Sequence, residues 1–277
     1  PTGASSSAIT AAKSRSTTMI ELNKIYNEDC LEGMKRIPDK SIDMILCDLP
    51  YGTTSRNKWD EIIPFENLWM QYERLIKPNG AILLFSDEPF TSKLICSNMK
   101  MFKQRITWDK DRGFGFLNAH KMLMKQTEDI CLFYNKTPTY NPQMVDANPD
   151  RIRPITNGGE NVSLNYGTVK NVKNDKEYDP QKRYPTNLIK MSSNTKECNP
   201  LNRLHPTQKP VALCEYLIKT YTNDGDTVLD NCIGSGTTAI ACINTNRNYI
   251  GFELDKHYCD IANERIRKAL AEKAVSK

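Results

Sequence analysis

The stretch from Thr227 to Leu254 constrains this chain more than any other. TVLD (227–230) is a short apolar run ending in a carboxylate, CIGSG (232–236) is a glycine-bearing loop, TTAIACINTN (237–246) reads as a helix, and YIGFEL (249–254) reads as a second strand. A strand, a tight loop, a helix and another strand in succession form a βαβ unit, whose strands lie parallel. Such units build sheets covered by helices on both faces. The rest of the pattern follows the same grammar. From Lys24 the chain reads as strand, helix and strand, and SIDMILC (41–47) is an apolar run that stops at Asp48. Residues 65–76 place Phe65, Leu68, Trp69, Tyr72 and Leu75 on one helical face. Asn79-Gly80 predicts a turn before the buried strand AILLF (81–85), Pro89 predicts the start of a helix over 89–100, and RITW (105–108) and DICLFY (129–134) predict two more strands. VALCEYLIKTY (211–221) predicts a helix, Asp224-Gly225 a turn, and 257–273 an amphipathic C-terminal helix. The expected fold class is therefore α/β with a mostly parallel sheet.

Two stretches break this pattern. From 135 to 203 the chain is rich in Asn, Pro, Lys and Tyr, and between 135 and 190 nine Lys or Arg stand against six Asp or Glu. A segment of that composition cannot build much core, so it is expected to be a functional insertion or a linker between the halves 19–134 and 204–277. Residues 1–18, rich in Ala, Ser and Thr, are expected to be a disordered tail or tag remnant, with structured pattern beginning after Met19. No apolar run approaches the roughly 18 residues of a membrane span. The nine cysteines contain no CxxC pair, which argues against a disulfide framework or a structural zinc site and for a reducing, cytoplasmic compartment. A net charge of +5 permits a polyanionic partner without requiring one.

Two segments carry candidate chemistry. In the C-terminal unit, Gly234 and Gly236 let backbone approach a ligand closely, and the following helix start offers free N–H groups. Ser235, Thr237 and Thr238 add hydroxyls, and Glu253, 17 residues beyond Gly236, sits at a strand tip where a carboxylate can accept from both hydroxyls of a ribose. Taken alone, the loop fits a nucleoside ligand and a plain strand–helix turn equally, and the missing third glycine argues against NAD. The second segment is Asp48-Leu49-Pro50-Tyr51, placed where a strand ends. Ligand sites of open α/β sheets lie at such carboxyl ends. Asp48 can accept from an exocyclic amine, a neighbouring carbonyl can accept a second N–H, and Tyr51 can stack on a ring. A strand-ending turn with a surface tyrosine fits equally well.

Together these segments resemble one family. DLPY followed by GTT resembles the DPPY motif of the amino-group DNA methyltransferases, DNCIGSGTT (230–238) resembles their glycine motif, and HPTQKP (205–210) resembles the segment preceding it. Catalytic motif first, variable region next and glycine motif last is the permuted order of the β class. The resemblance implies a Rossmann-like, S-adenosylmethionine-dependent methyltransferase fold with a mostly parallel seven-stranded sheet and an inserted target-recognition region. The half over 19–134 would be catalytic and the half over 204–277 would bind cofactor. Asp48 and the Leu49 carbonyl would hold the target amine beside Pro50, and Tyr51 would stack on a flipped base. Leu49 departs from the usual proline, but the family uses that position's carbonyl. Asp230, Cys232, Gly234, Ser235, Gly236, Thr237 and Thr238 would surround the methionine part of the cofactor, with Thr207 and Lys209 in support. Glu253 would bind the ribose. Asp29, Phe85 and Pro89 resemble positions near the adenine of the cofactor.

The implied chemistry needs orientation above all. An aromatic amine is a poor nucleophile, and two acceptors on its N–H groups favour a pyramidal nitrogen whose lone pair points at the methyl. The base must leave the duplex to reach such a pocket. No Pro-Cys dipeptide occurs, so a thiol nucleophile is rejected. Within the insertion, Arg151, Arg153, Lys170, Lys173, Lys182 and Arg183, interleaved with Tyr140, Tyr166, Tyr178 and Tyr184, suit phosphate and base-edge contacts, although any single one also reads as a solvated loop charge. Trp59 and Asp60 stand close enough to the DLPY motif to gate a pocket. Trp108 reads equally as core, and His120 and His257 as surface or structural residues. The expected activity is transfer of a methyl group to adenine N6 in double-stranded DNA. Cytosine N4 on the same scaffold is the near alternative, where a leading Ser is commoner than Asp. An RNA or protein amide is the far one, disfavoured by the permuted order and the basic insertion. Expected partners are DNA and, as in many β-class relatives, a second copy, with neither metal nor membrane.

Overall fold

In the computed structural model, residues 20–52, 61–152, 160–163, 167–170, 179, 181–195, 197–199 and 204–275 are described. The elements run β1 (Lys24–Tyr26), α1 (Cys30–Met34), β2 (Ile42–Asp48), α2 (Phe65–Leu75), β3 (Ile76–Ser86), α3 (Phe90–Ser97), β4 (Phe102–Phe114) and β5 (Lys125–Phe133). Five short strands follow: β6 (Val145–Asp146), β7 (Glu160–Ser163), β8 (Gly167–Lys170), β9 (Lys182–Arg183) and β10 (Leu188–Lys190). The chain closes with α4 (Val211–Tyr221), β11 (Thr227–Asp230), α5 (Thr237–Asn244), β12 (Asn248–Phe252) and α6 (Lys256–Val275).

One sheet of order β1-β12-β11-β2-β3-β5-β4-β10 organises the molecule. Its pairs are parallel except β3 with β5 and β5 with β4. The strands carry apolar residues on both faces, and their period of two sorts them into two cores. Met44, Leu46, Leu83 and Phe85 pack on one side with Leu217 of α4, Ile240 of α5 and Ile266 of α6. Ile45, Cys47, Ile82 and Leu84 pack on the other with Met34 of α1, Tyr72 of α2 and Leu94 of α3. Among the described residues no helix is long and apolar enough to cross a membrane.

The feature that positions a site is the join between the two halves of the chain. β11, late in sequence, lies beside β2, with Leu229 opposite Ile45. From that join the chain steps outward in opposite directions, β2 to β3 on one side and β11 to β12 on the other. Such a switch point leaves a crevice at the carboxyl ends of the two strands.

Three details differ from the sequence expectations. Among the described residues the sheet has eight strands, because Leu188–Lys190 adds β10 beside β4, with Ile189 opposite Trp108. Buried Ile189 thus draws part of the insertion into the core, and three residues are too few to show a period. Asn79-Gly80 forms a bulge within β3 instead of a turn before it, since Ile76 already pairs with Ile42. Gly80 is required there: a Cβ would stand 2.7 Å from the Asp43 carbonyl oxygen. β4 is far longer than the expected RITW and forms with β5 a hairpin reaching past the sheet.

Candidate active site

The loop after β11 is held open by its own short-range bonds. Asp230 accepts from the Cys232 N–H at 3.1 Å and from the Thr238 hydroxyl at 2.6 Å. Burial pushes its carboxyl up to about 7 against the pull of those donors. Gly234 and Gly236 have φ of +54° and +83°, a region that L side chains avoid. Gly236 caps α5, and a Cβ on it would stand 3.0 Å from the Ala262 Cβ. Glu253, just past β12, accepts the Gly234 N–H at 2.9 Å and the Asp255 N–H at 2.8 Å. Burial raises its carboxyl pKa against the pull of these N–H donors.

Beside this loop, β2 delivers Asp48 and Tyr51. The Tyr51 hydroxyl lies 2.8 Å from Asp48 Oδ1 and 3.2 Å from Glu128 Oε1, and its ring stacks on Phe90 with centroids 5.1 Å apart. The Lys209 ammonium donates to Asp48 Oδ2 at 2.7 Å and pairs with Glu128 Oε1 at 2.8 Å. Lys110 closes the chain on Glu128 Oε2 at 2.6 Å. Two carboxylates and two ammonium groups thus balance in a largely dry cluster.

The titration of each group follows from that arrangement. Burial, reinforced by the Glu128 charge, raises the Asp48 carboxyl above its usual value despite Lys209 and Tyr51. Burial alone would also raise Glu128, but the Lys209 and Lys110 ammonium groups outweigh it and bring it down to about 2. Burial disfavours the charge on Lys209, yet Asp48 and Glu128 overcome this and hold its pKa above the ordinary lysine range. Burial and the same two carboxylates raise Tyr51, so it stays a neutral donor.

A cleft of 380 Å³ joins the two segments. Of the residues singled out in the sequence, Asp29, Asp48, Leu49, Pro50, Tyr51, Phe85, Thr207, Lys209, Asp230, Cys232, Gly234, Ser235, Thr237, Thr238 and Glu253 all line it. Gly236 does not, and acts through the turn it permits. Pro89 opens α3 away from the cleft lining. Asp29 caps α1 through its Oδ1 while facing the cleft. Two expected placements are refined. Lys209 lines the cleft, but its ammonium is committed to Asp48 and Glu128. Asp230 secures the loop with both carboxylate oxygens.

Glu128 has no place in the sequence reading, which begins that strand at Asp129. The available signal was a charge entering an apolar strand, since such a residue is buried only when paired. Trp108 is core, its indole N–H donating to the Met191 carbonyl at 2.8 Å. His120 and His257 are exposed. Lys182 pairs with Asp146, and the Arg183 guanidinium donates to the Lys182 carbonyl. Arg151 ends a short 3-10 turn and Lys170 closes β8. Tyr140 packs near Tyr221 and Tyr184 is exposed. Trp59, Asp60, Arg153, Tyr166, Lys173, Tyr178 and residues 1–19 lie outside the described residues.

A glycine loop and a carboxylate–tyrosine pair, facing one cleft at the switch point of a doubly wound sheet, define an α/β enzyme that acts on one ligand held against another. Comparison with known proteins gives the family. The family described as DNA methylase, covering N6 and N4 amino-group enzymes, matches residues 42–264, and the chain belongs to it. It is 31% identical to the type II methyltransferase M.HpaI of Haemophilus parainfluenzae, over 88% of this chain and 74% of that one. It is 29% identical to the type II methyltransferase M1.MboII of Moraxella bovis, over 88% of this chain and 96% of that one. Among solved structures, the M1.HpyAVI–SAM complex superposes with a TM-score of 0.58 at 27% identity, covering 88% of this chain and 98% of that one.

Proposed function

We propose that this chain transfers a methyl group from S-adenosylmethionine to N6 of an adenine flipped out of double-stranded DNA. The observation that carries this reading is the meeting of Asp48 and Tyr51 with the glycine loop in one 380 Å³ cleft. The residues present fit the cofactor. Gly234 leaves a space bounded by the His205 ring, 3.8 Å from where a Cβ would stand. Glu253 accepts two backbone N–H bonds and keeps lone pairs for ribose hydroxyls. A bound cationic sulfonium would draw the raised Asp230 carboxyl back towards its ionised form. Bound S-adenosylmethionine supplies an electrophilic methyl group.

The chain's own residues orient the acceptor. Tyr51 and Lys209 each hold one oxygen of Asp48, which fixes its rotamer and leaves lone pairs for a target N–H. The Leu49 carbonyl, one residue on, takes the other N–H. Those two acceptors keep the amine lone pair directed and leave it no competing geometry. The methylated nitrogen then sheds a proton, and a carboxyl raised above its usual value, as at Asp48, is the better acceptor for it. The 135–203 segment, with Lys182 and Arg183 on its β6–β9 ribbon, would read the DNA site.

An aspartate at the head of the motif favours adenine. Cytosine presents the same amine to the same acceptors, so the base is decided by product analysis. Unmethylated genomic DNA incubated with labelled S-adenosylmethionine, digested to nucleosides and separated, is expected to yield N6-methyladenine. N4-methylcytosine would overturn the base assignment and keep the mechanism. Label absent from DNA, with cofactor bound, would overturn the substrate.

A further inference from the structure

The β4–β5 hairpin carries an exposed apolar surface outside the cleft. Beyond the Phe114–Lys125 pair, Phe116, Leu117 and Leu123 are 78%, 85% and 96% exposed, and Met122 and Met124 are exposed beside them. Five large apolar side chains in nine residues are costly to leave in water, and clusters of this kind mark interaction surfaces. Gly115, at φ +85°, turns the chain into the 3-10 turn Phe116–Asn118 that presents Phe116 and Leu117.

Two observations say what covers this surface. The first is charge. From Arg112 to Gln126 the sequence holds Arg112, Lys121 and Lys125 and no Asp or Glu; Lys125 is paired with Asp87 at 2.5 Å, which leaves Arg112 and Lys121 as the charges the tip offers. A second copy of the same hairpin would bring like charges together, whereas a polyanion would be attracted. The second is position. The base of the hairpin belongs to the catalytic cluster, since Lys110 of β4 and Glu128 of β5 form the ion pair that reaches Lys209. Lys125 stands three residues before Glu128, so the apolar tip begins about 10 Å beyond it at the rise of a strand. β5 runs antiparallel to β3, with Asp129 opposite Ser86, so the hairpin leaves the sheet on the carboxyl edge where Asp48 and Tyr51 lie.

We infer that the tip of the β4–β5 hairpin is a DNA wedge, whose Phe116, Leu117 and Leu123 enter the base stack beside the target and occupy the space it vacates. The inference rests on DNA being the substrate. Apolar side chains inserted between base steps unstack them at a cost of a few kcal/mol per step, and flipping enzymes must meet that cost for a paired base. Basic residues flanking an apolar tip suit this task, because phosphate contacts hold the tip against the groove.

The test is the triple variant Phe116→Ser/Leu117→Ser/Leu123→Ser. These side chains are exposed, so Tm and S-adenosylmethionine affinity should equal the wild type's. Methylation is measured on a duplex bearing the recognition site, mapped first by sequencing DNA methylated by the wild type, and on the same duplex with an abasic position opposite the target. The variant is expected to be slower by about tenfold or more on the paired duplex and close to wild type on the abasic one, where the target is already unpaired. Equal rates of variant and wild type on the paired duplex would overturn the wedge, as would an equal loss on both duplexes. A wild-type dimer converted to a fully active monomer by the substitutions would assign the tip to self-association instead. A wild type that leaves DNA unmethylated would overturn the DNA reading and the wedge with it.

Discussion

Replacing Glu128 by Gln tests whether the buried cluster is an electrostatic unit. Glu128 is 7% exposed and holds Lys110 and Lys209 at 2.6 and 2.8 Å. Its carboxyl is brought from 4.5 down to about 2. A group whose folded pKa is depressed adds stability above its unfolded pKa and loses it as pH falls through the folded one. At roughly 1.4 kcal/mol per pH unit, the stabilisation at pH 7 is about 3 kcal/mol, in line with the roughly 3–5 kcal/mol lost when one partner of a buried pair is removed. Urea unfolding of wild type and Glu128→Gln at pH 7 should therefore differ by about 3 kcal/mol. As pH drops below 4.5 the wild type loses this advantage, so by pH 3.5 the gap should shrink by about 1 kcal/mol. The double variant Lys209→Met/Glu128→Gln should be less destabilised than the two single losses added together, because it leaves fewer unpaired charges. A gap that stays constant from pH 7 to 3.5, together with strictly additive losses, would refute the reasoning and reduce Glu128 to a packing role.

Three further outcomes follow from the same geometry. On the proposed mechanism Asp48→Ala removes the acceptor for the target amine, so it should lower kcat by about 10² to 10³ while equilibrium dialysis shows S-adenosylmethionine still bound. Because the Asp48 carboxyl is raised and must be ionised to accept, kcat should fall as pH drops through that raised value, and Glu128→Gln, by deleting a neighbouring negative charge, should move this limb to lower pH. Gly236→Ala meets both a φ of +83° and a Cβ contact of 3.0 Å with Ala262, so thermal melting should register a loss of about 1–3 kcal/mol, with weaker cofactor binding.

Much of this molecule is written in local pattern. The strands at 42–48, 81–85 and 227–230 are legible because both of their faces are apolar, and the helix at 211–221 because its apolar residues recur at helical spacing. The two halves of the cleft are legible for a related reason. A glycine loop and a strand-ending DLPY are short-range devices, and their residue types carry their backbone requirements with them. Glu128 was not legible. Its partners Lys110 and Lys209 are 18 and 81 residues away in sequence, and a charge becomes a site component only when such distant partners pay its burial.

The sequence by itself therefore determined the α/β class, the family and most of the cleft lining, since each depends on contiguous segments whose periodicity, turns and motifs express local backbone preferences. Only the tertiary structure decided that β11 lies against β2, that Lys209 bonds Asp48, that Ile189 adds a further strand, and that the apolar hairpin tip leaves the sheet on the same edge as Asp48. Those facts depend on which distant surfaces pair and which charges share one dry space, and such pairings are fixed by the free energy of the whole fold.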